Sequence, residues 1–146
     1  MKAVALTHYL PVDDPNAFLD VELPKPEAMG RDLLVSVQAV SINPVDTKVR
    51  APKDVIEETP RVLGWDASGI VEAVGPDVTL FKPGDEVYYA GDLTRSGSNA
   101  EFQLVDERIV GVKPKSLSFA EAAALPLTTI TAYEAFFDRL GIDRDG

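Results

Sequence analysis

Four glycines punctuate the stretch from Pro60 to Val87, PRVLGWDASGIVEAVGPDVTLFKPGDEV, and the apolar runs between them are too short for helices. Gly64, Gly69, Gly75 and Gly84 permit bends and close backbone approach in a curved sheet. Pro76 and Pro83 stand beside two of them, as turns require. Ser68 to Val74 and Glu86 to Ala90 read as strands joined through Gly75, Pro76, Pro83 and Gly84.

The rest of the chain extends that pattern. Ala3 to His8 is a short apolar run, Phe18 to Leu23 alternates as a half-exposed strand does, and Asp32 to Asn43, DLLVSVQAVSIN, is long and rich in β-branched residues. Pro44 then suits the first position of a short helix, where its missing N–H costs nothing. Lys53, Asp54, Glu57 and Glu58 predict a solvated loop from Ala51 to Thr59, and two more short strands are expected over Ala100 to Val105 and Ile109 to Val112. Ser118 and Glu121 form a capping box ahead of a helix. Pro126 interrupts that helix, a second helical run follows from Thr128 to Leu140, and Gly141 ends it. The residues from Gly141 to Gly146 read as a linker. The expected class is mainly β with short helices, a barrel or sandwich that hands over to terminal helices.

Charge and residue usage narrow the chemistry. A 146-residue chain that is 45% hydrophobic and 26% charged has the composition of one folded domain. Its formal net charge of -10 disfavours a nucleic-acid partner, because phosphate binding relies on clustered Lys and Arg. Without cysteine there is no disulfide framework, thiolate metal site or cysteine nucleophile. No run of about 18 apolar residues suggests a membrane span. The N-terminus lacks a signal-peptide pattern, so a cytoplasmic location is expected.

Gly64 and Gly69 have the spacing of a phosphate-binding loop, but Ile70 and Val71 stand where Lys and Ser or Thr would touch phosphate and magnesium. No two glycines are separated by a single residue, which removes the GxGxxG dinucleotide fingerprint as well. The combination G-W-D-x-x-G-x-V-x-x-V-G-x-x-V followed by F-K-x-G-D-E-V instead resembles the N-terminal GroES-like domain of medium-chain dehydrogenases and reductases, specifically the zinc-free quinone oxidoreductase branch. VSINPVDTKVR, from Val40 to Arg50, and AAALPLTTITAYEAF, from Ala122 to Phe136, are similar to two further family segments in the same order. The resemblance implies a GroES-like, partly open β-barrel over residues 1–125. Residues 126–146 would then form a helix and linker into a nucleotide-binding Rossmann domain that this sequence does not contain.

The same resemblance frames the site. Zinc-dependent members carry Cys where this chain has Asn43, and a His-Glu pair where it has Trp65 and Asp66. Zinc favours thiolate and imidazole ligands in tetrahedral geometry, and His8, the sole histidine, is expected as a surface or hydrogen-bonded residue of the first strand. No zinc is therefore expected. The resemblance points to Asn43 as a donor near the nicotinamide and substrate, and to Thr131 as a neighbour of the nicotinamide carboxamide. Lys48 replaces a tyrosine usual in that branch; it is either a solvated residue or a cation that stabilises an enolate or binds an acidic substrate. Trp65, Asp66 and Tyr89 are candidates for the substrate pocket. Strand alternation sends one of Tyr88 and Tyr89 to the core and leaves open which faces the cleft.

The implied activity is NADPH-dependent, metal-free hydride transfer to a quinone or an α,β-unsaturated carbonyl, with a small-molecule substrate and a homodimeric full-length protein. The present chain alone is expected to be inactive, since the pyrophosphate-binding βαβ unit is missing. Two other readings remain: a zinc-dependent alcohol dehydrogenase domain with unusual ligands, and a non-enzymatic GroES-like module that binds proteins.

Overall fold

The computed structural model describes residues 1–143. All strand pairs are antiparallel and fall into two sheets. Strands β1 (Lys2–Tyr9), β2 (Leu19–Glu22) and β4 (Lys53–Val62) form a three-stranded sheet in the order β2-β1-β4. The five-stranded sheet has the order β7-β3-β5-β6-β8 and uses β3 (Asp32–Ser41), β5 (Asp66–Val74), β6 (Glu86–Ala90), β7 (Phe102–Asp106) and β8 (Val110–Val112). An isolated bridge between Ala3 and Ala100 links them. The architecture is the mainly β class that the sequence pattern implied, in the partly open GroES-like arrangement that the family resemblance implied.

Alternation along the strands sets the core. Leu33 and Val35 on β3, Ala67 and Val71 on β5, Val87 and Tyr89 on β6 and Val105 on β7 pack into one buried cluster. Burying each of the leucine and valine side chains contributes about 1.5–3 kcal/mol. Leu6, Tyr9, Leu63 and Trp65 form a second cluster, covered by Val45 and Val49 of helix α1 (Pro44–Arg50). Gly69 sits where β5 meets β3, and a Cβ there would lie 2.3 Å from the Ser36 carbonyl oxygen.

The segment expected as a solvated loop from Ala51 to Thr59 is corrected by the structure: most of it belongs to β4, which pairs with β1 from Tyr9↔Lys53 to Ala5↔Val62. The physical reason lies in its position. β4 is an edge strand, largely exposed, so its sequence needs neither alternation nor apolar content, and the charges that suggested a loop are those that protect an edge. Pro60 is tolerated there because an edge strand can spare an N–H.

The C-terminal part follows the sequence signals closely. The Ser118 hydroxyl accepts the Glu121 N–H at 3.3 Å and the Ser118 N–H donates to Glu121 Oε2 at 2.8 Å, capping α2 (Phe119–Ala123). Helix α3 (Pro126–Tyr133) continues into a π-helical turn over Glu134–Arg139, and Gly141 adopts a φ of +64° just beyond. Of the expected linker, residues 144–146 lie outside the described residues.

Candidate functional site

The end of β3, the start of β5 and the start of α3 converge on one buried carboxylate. Asn43 caps α1: its N–H donates to Asp46 Oδ2 at 2.7 Å, which fixes the loop as a short acidic side chain can. Its side-chain Nδ2 donates to Asp66 Oδ2 at 2.9 Å. The Leu127 N–H donates to both oxygens of Asp66, at 3.0 and 3.2 Å. Four residues later the Thr131 hydroxyl donates to the Leu127 carbonyl at 2.7 Å. Asn43, Asp66 and Thr131 are thereby joined through a single residue of α3.

Asp66 has no exposed surface. Burial pushes its carboxyl above the usual aspartate range; the Asn43 and Leu127 hydrogen bonds oppose that shift and the Asp46 carboxylate adds to it. Asn43 is 7% exposed and keeps one amide hydrogen beyond the one given to Asp66. Thr131 and Lys48 are exposed. Lys48 lies on α1 five residues beyond the N-cap Asn43 and enters no ion pair among the described residues.

The other candidates are placed differently. Trp65 packs against Leu6, Tyr9 and Leu63, and its indole N–H has no hydrogen-bond partner among the described residues. Tyr89 points into the main core, where burial raises its phenol and its hydroxyl donates to Gln103 Oε1 at 3.0 Å. Tyr88 takes the opposite face of β6, and both tyrosines border a pocket of about 150 Å³ with Pro126, Thr129 and Ile130 of α3. His8 is exposed on β1 beside Thr7. Among the described residues no group of three or more His, Cys, Asp and Glu side chains is placed to hold a metal. No helix among them is long and apolar enough to cross a membrane.

Sequence reasoning missed the Leu127 N–H as the anchor of the site. A signal was present: Pro126 has no N–H, and Leu125 before it offers no side-chain oxygen, so α3 starts without a cap of its own and needs an acceptor from elsewhere.

Residues 30–133 match the family model described as the alcohol dehydrogenase GroES-like domain. A zinc-type alcohol dehydrogenase-like protein of Staphylococcus aureus is 50% identical over 99% of this chain, which covers 43% of that relative. The 2-methylene-furan-3-one reductase of Solanum lycopersicum is 42% identical over 92% of the chain and 36% of its own length. Among solved structures, a Rhizobium etli protein assigned to the zinc-dependent alcohol dehydrogenases superposes with a TM-score of 0.91 at 64% identity, over 96% of this chain and 41% of that one. A mycobacterial protein solved in complex with NADPH superposes with a TM-score of 0.81 at 28% identity, over 99% of this chain and 43% of that one. The chain thus spans about two fifths of the length of the relatives it matches. On the strength of the matched family model, the chain belongs to the alcohol dehydrogenase GroES-like domain family.

Proposed function

We propose that this chain is the substrate-facing domain of an NADPH-dependent oxidoreductase that reduces quinones or α,β-unsaturated carbonyls without a metal. The observation that carries the reading is the convergence of Asn43 and the Thr131 helix on Asp66, with one Asn43 amide hydrogen unspent and Thr131 exposed on its helix. The name of the tomato relative supports the substrate class, since a 2-methylene-furan-3-one is itself an α,β-unsaturated ketone. The mycobacterial structure with NADPH supports the cofactor.

The Thr131 hydroxyl oxygen, which still accepts, suits a nicotinamide carboxamide and leaves the one spare Asn43 N–H for the substrate oxygen. Bound NADPH would supply the hydride. When the β-carbon of an enone accepts it, negative charge collects on the carbonyl oxygen, and the Asn43 N–H and the Lys48 ammonium are the groups of this chain that would stabilise it. The same positions do not suit zinc: the Asn43 amide nitrogen is a donor already turned to a carboxylate, and the Trp65 indole lies within the core without a lone pair for a metal.

A second domain would hold the dinucleotide pyrophosphate. Ile130, Phe136 and Leu140 beyond the core support such a domain, being 47%, 50% and 69% exposed along the terminal helix. The 146-residue chain alone should then show no NADPH oxidation, while a longer protein that continues through a nucleotide-binding domain should reduce enones or quinones. Metal analysis accompanies that assay. Turnover by the short chain, or stoichiometric zinc in the active protein, overturns the proposal.

A further inference from the structure

We propose that Asp66 is a positioning residue that couples the orientation of the Asn43 amide to the seating of helix α3, and hence to Thr131. The inference rests on the reading above for its functional meaning, and on hydrogen-bond geometry alone for its substance.

The carboxylate stands on a rigid support. Asp66 opens β5 and is paired on one side with Ser41 of β3 and on the other with Ala90 of β6, so its backbone is held by the centre of the larger sheet. From there it receives the Asn43 amide and the Leu127 N–H. Because Pro126 carries no N–H and Leu125 no acceptor, Asp66 serves α3 as a cap supplied from across the fold. A negative charge is also favoured at that end of a helix.

No cation pairs with Asp66 among the described residues, although it has no exposed surface. An unpaired buried carboxylate is an expensive choice for stability alone. It is a sound choice for holding two donors in register, because each oxygen accepts more than one hydrogen bond and neither donor has to yield. The path runs from Asn43 Nδ2–H to Asp66, from the Leu127 N–H to Asp66, and from the Thr131 hydroxyl to the Leu127 carbonyl. A shift of α3 away from β5 removes one donor and frees the carboxylate to rotate, which releases Asn43; rotation of Asn43 loosens the cap in turn.

Amide hydrogen exchange on this chain tests the coupling without cofactor or substrate. In Asp66→Asn one oxygen is replaced by an amide donor, and because the Leu127 N–H reaches both oxygen positions, that donor faces it in either orientation of the new amide. Exchange at the Leu127 and Thr131 amides should quicken at least tenfold while Val35 and Val71 in the main core stay unchanged. Asn43→Ala leaves the carboxylate in place and should quicken the same two amides several-fold, which keeps the proposal testable if Asp66→Asn fails to fold. Unchanged exchange at Leu127 in Asn43→Ala overturns the coupling, as does a uniform rise at Leu127, Val35 and Val71 in Asp66→Asn. Failure of NADPH-dependent turnover would sink the functional reading and leave this result standing, and the reverse holds equally.

Discussion

Arg31, just ahead of β3, pairs with the buried carboxylate of Glu107 beside it at the end of β7, Nη1 to Oε1 at 2.7 Å. The other oxygen accepts the N–H groups of Thr79 and Leu80 at 2.9 and 2.7 Å, which ties the turn between Gly75 and Gly84 to the end of β7. Burial works against the charge, but the two N–H groups and the guanidinium outweigh it and hold Glu107 below the usual glutamate range. A depressed folded-state value means that the stabilisation is present above the unfolded value, about 4.3, and is lost as pH falls from there through the folded value. Glu107→Gln should lower the melting temperature by several degrees at pH 7 and flatten the acid limb of stability against pH. Thermal unfolding of both proteins at a series of acidic and neutral pH values checks this; parallel curves would remove Glu107 from the account.

Asp66 should behave with the opposite sign. Its folded-state value is raised, chiefly by burial. Its contribution to stability is therefore greatest below the unfolded value, about 3.9, and is lost as pH rises through the raised value. Urea unfolding from pH 3 to pH 7 should show Asp66→Asn gaining on the wild type as pH rises, by up to about 1.4 kcal/mol for every tenfold by which folding tightens the hold on the carboxyl proton. This global gain accompanies the local loosening of α3, because removing a buried charge and splitting a pair of donors are separate effects of one substitution. A constant difference across that range would show that Asp66 is not titrating there.

The glycines of the Pro60 to Val87 stretch look alike in the sequence and separate in the structure. Gly69 has an ordinary backbone but no space, since its Cβ would meet the Ser36 carbonyl at 2.3 Å within the β3–β5 pair. Gly84 has space but a φ of +94°, with nothing within 4 Å of the place a Cβ would take. Gly69→Ala should cost more than about 2 kcal/mol because backbone must move, and Gly84→Ala about 1–2 kcal/mol from left-handed strain alone. Denaturant midpoints at constant slope measure both, and equal costs would contradict the distinction.

That contrast also shows what was legible beforehand. The short strands, the Ser118 cap, the break at Pro126 and the stop at Gly141 were readable because each is a local rule with a local cause. β4 was not readable, because an edge strand exposed on both faces has the composition of a loop and is defined only by its partner β1. The alternation of Tyr88 and Tyr89 was legible as a difference, but its direction depends on which face of β6 meets the core, a property of the assembled sheet. Asn43 and Thr131 could be named from family resemblance; their junction at Leu127 could not, because a backbone N–H has no letter in the sequence.

Lys48 offers the sharpest separation of function from fold. The side chain is exposed on α1, so removing its charge disturbs no core packing and no ion pair among the described residues. Lys48→Met should leave unfolding unchanged within about 0.5 kcal/mol, as surface substitutions usually do. If the ammonium stabilises charge that develops on the substrate oxygen, kcat/KM for an enone should fall about tenfold in the longer protein that carries a nucleotide-binding domain, a loss of about 1.4 kcal/mol in transition-state stabilisation. The loss should shrink with rising ionic strength, because an exposed cation is screened within about 10 Å at 0.1 M salt. Lys48→Arg keeps the charge and should retain most of the rate, whereas a polar contact that needs a compact ammonium would not survive it. Equal rates for the wild type and Lys48→Met at low salt would assign Lys48 to the solvated surface and leave Asn43 as the donor of this chain nearest the chemistry.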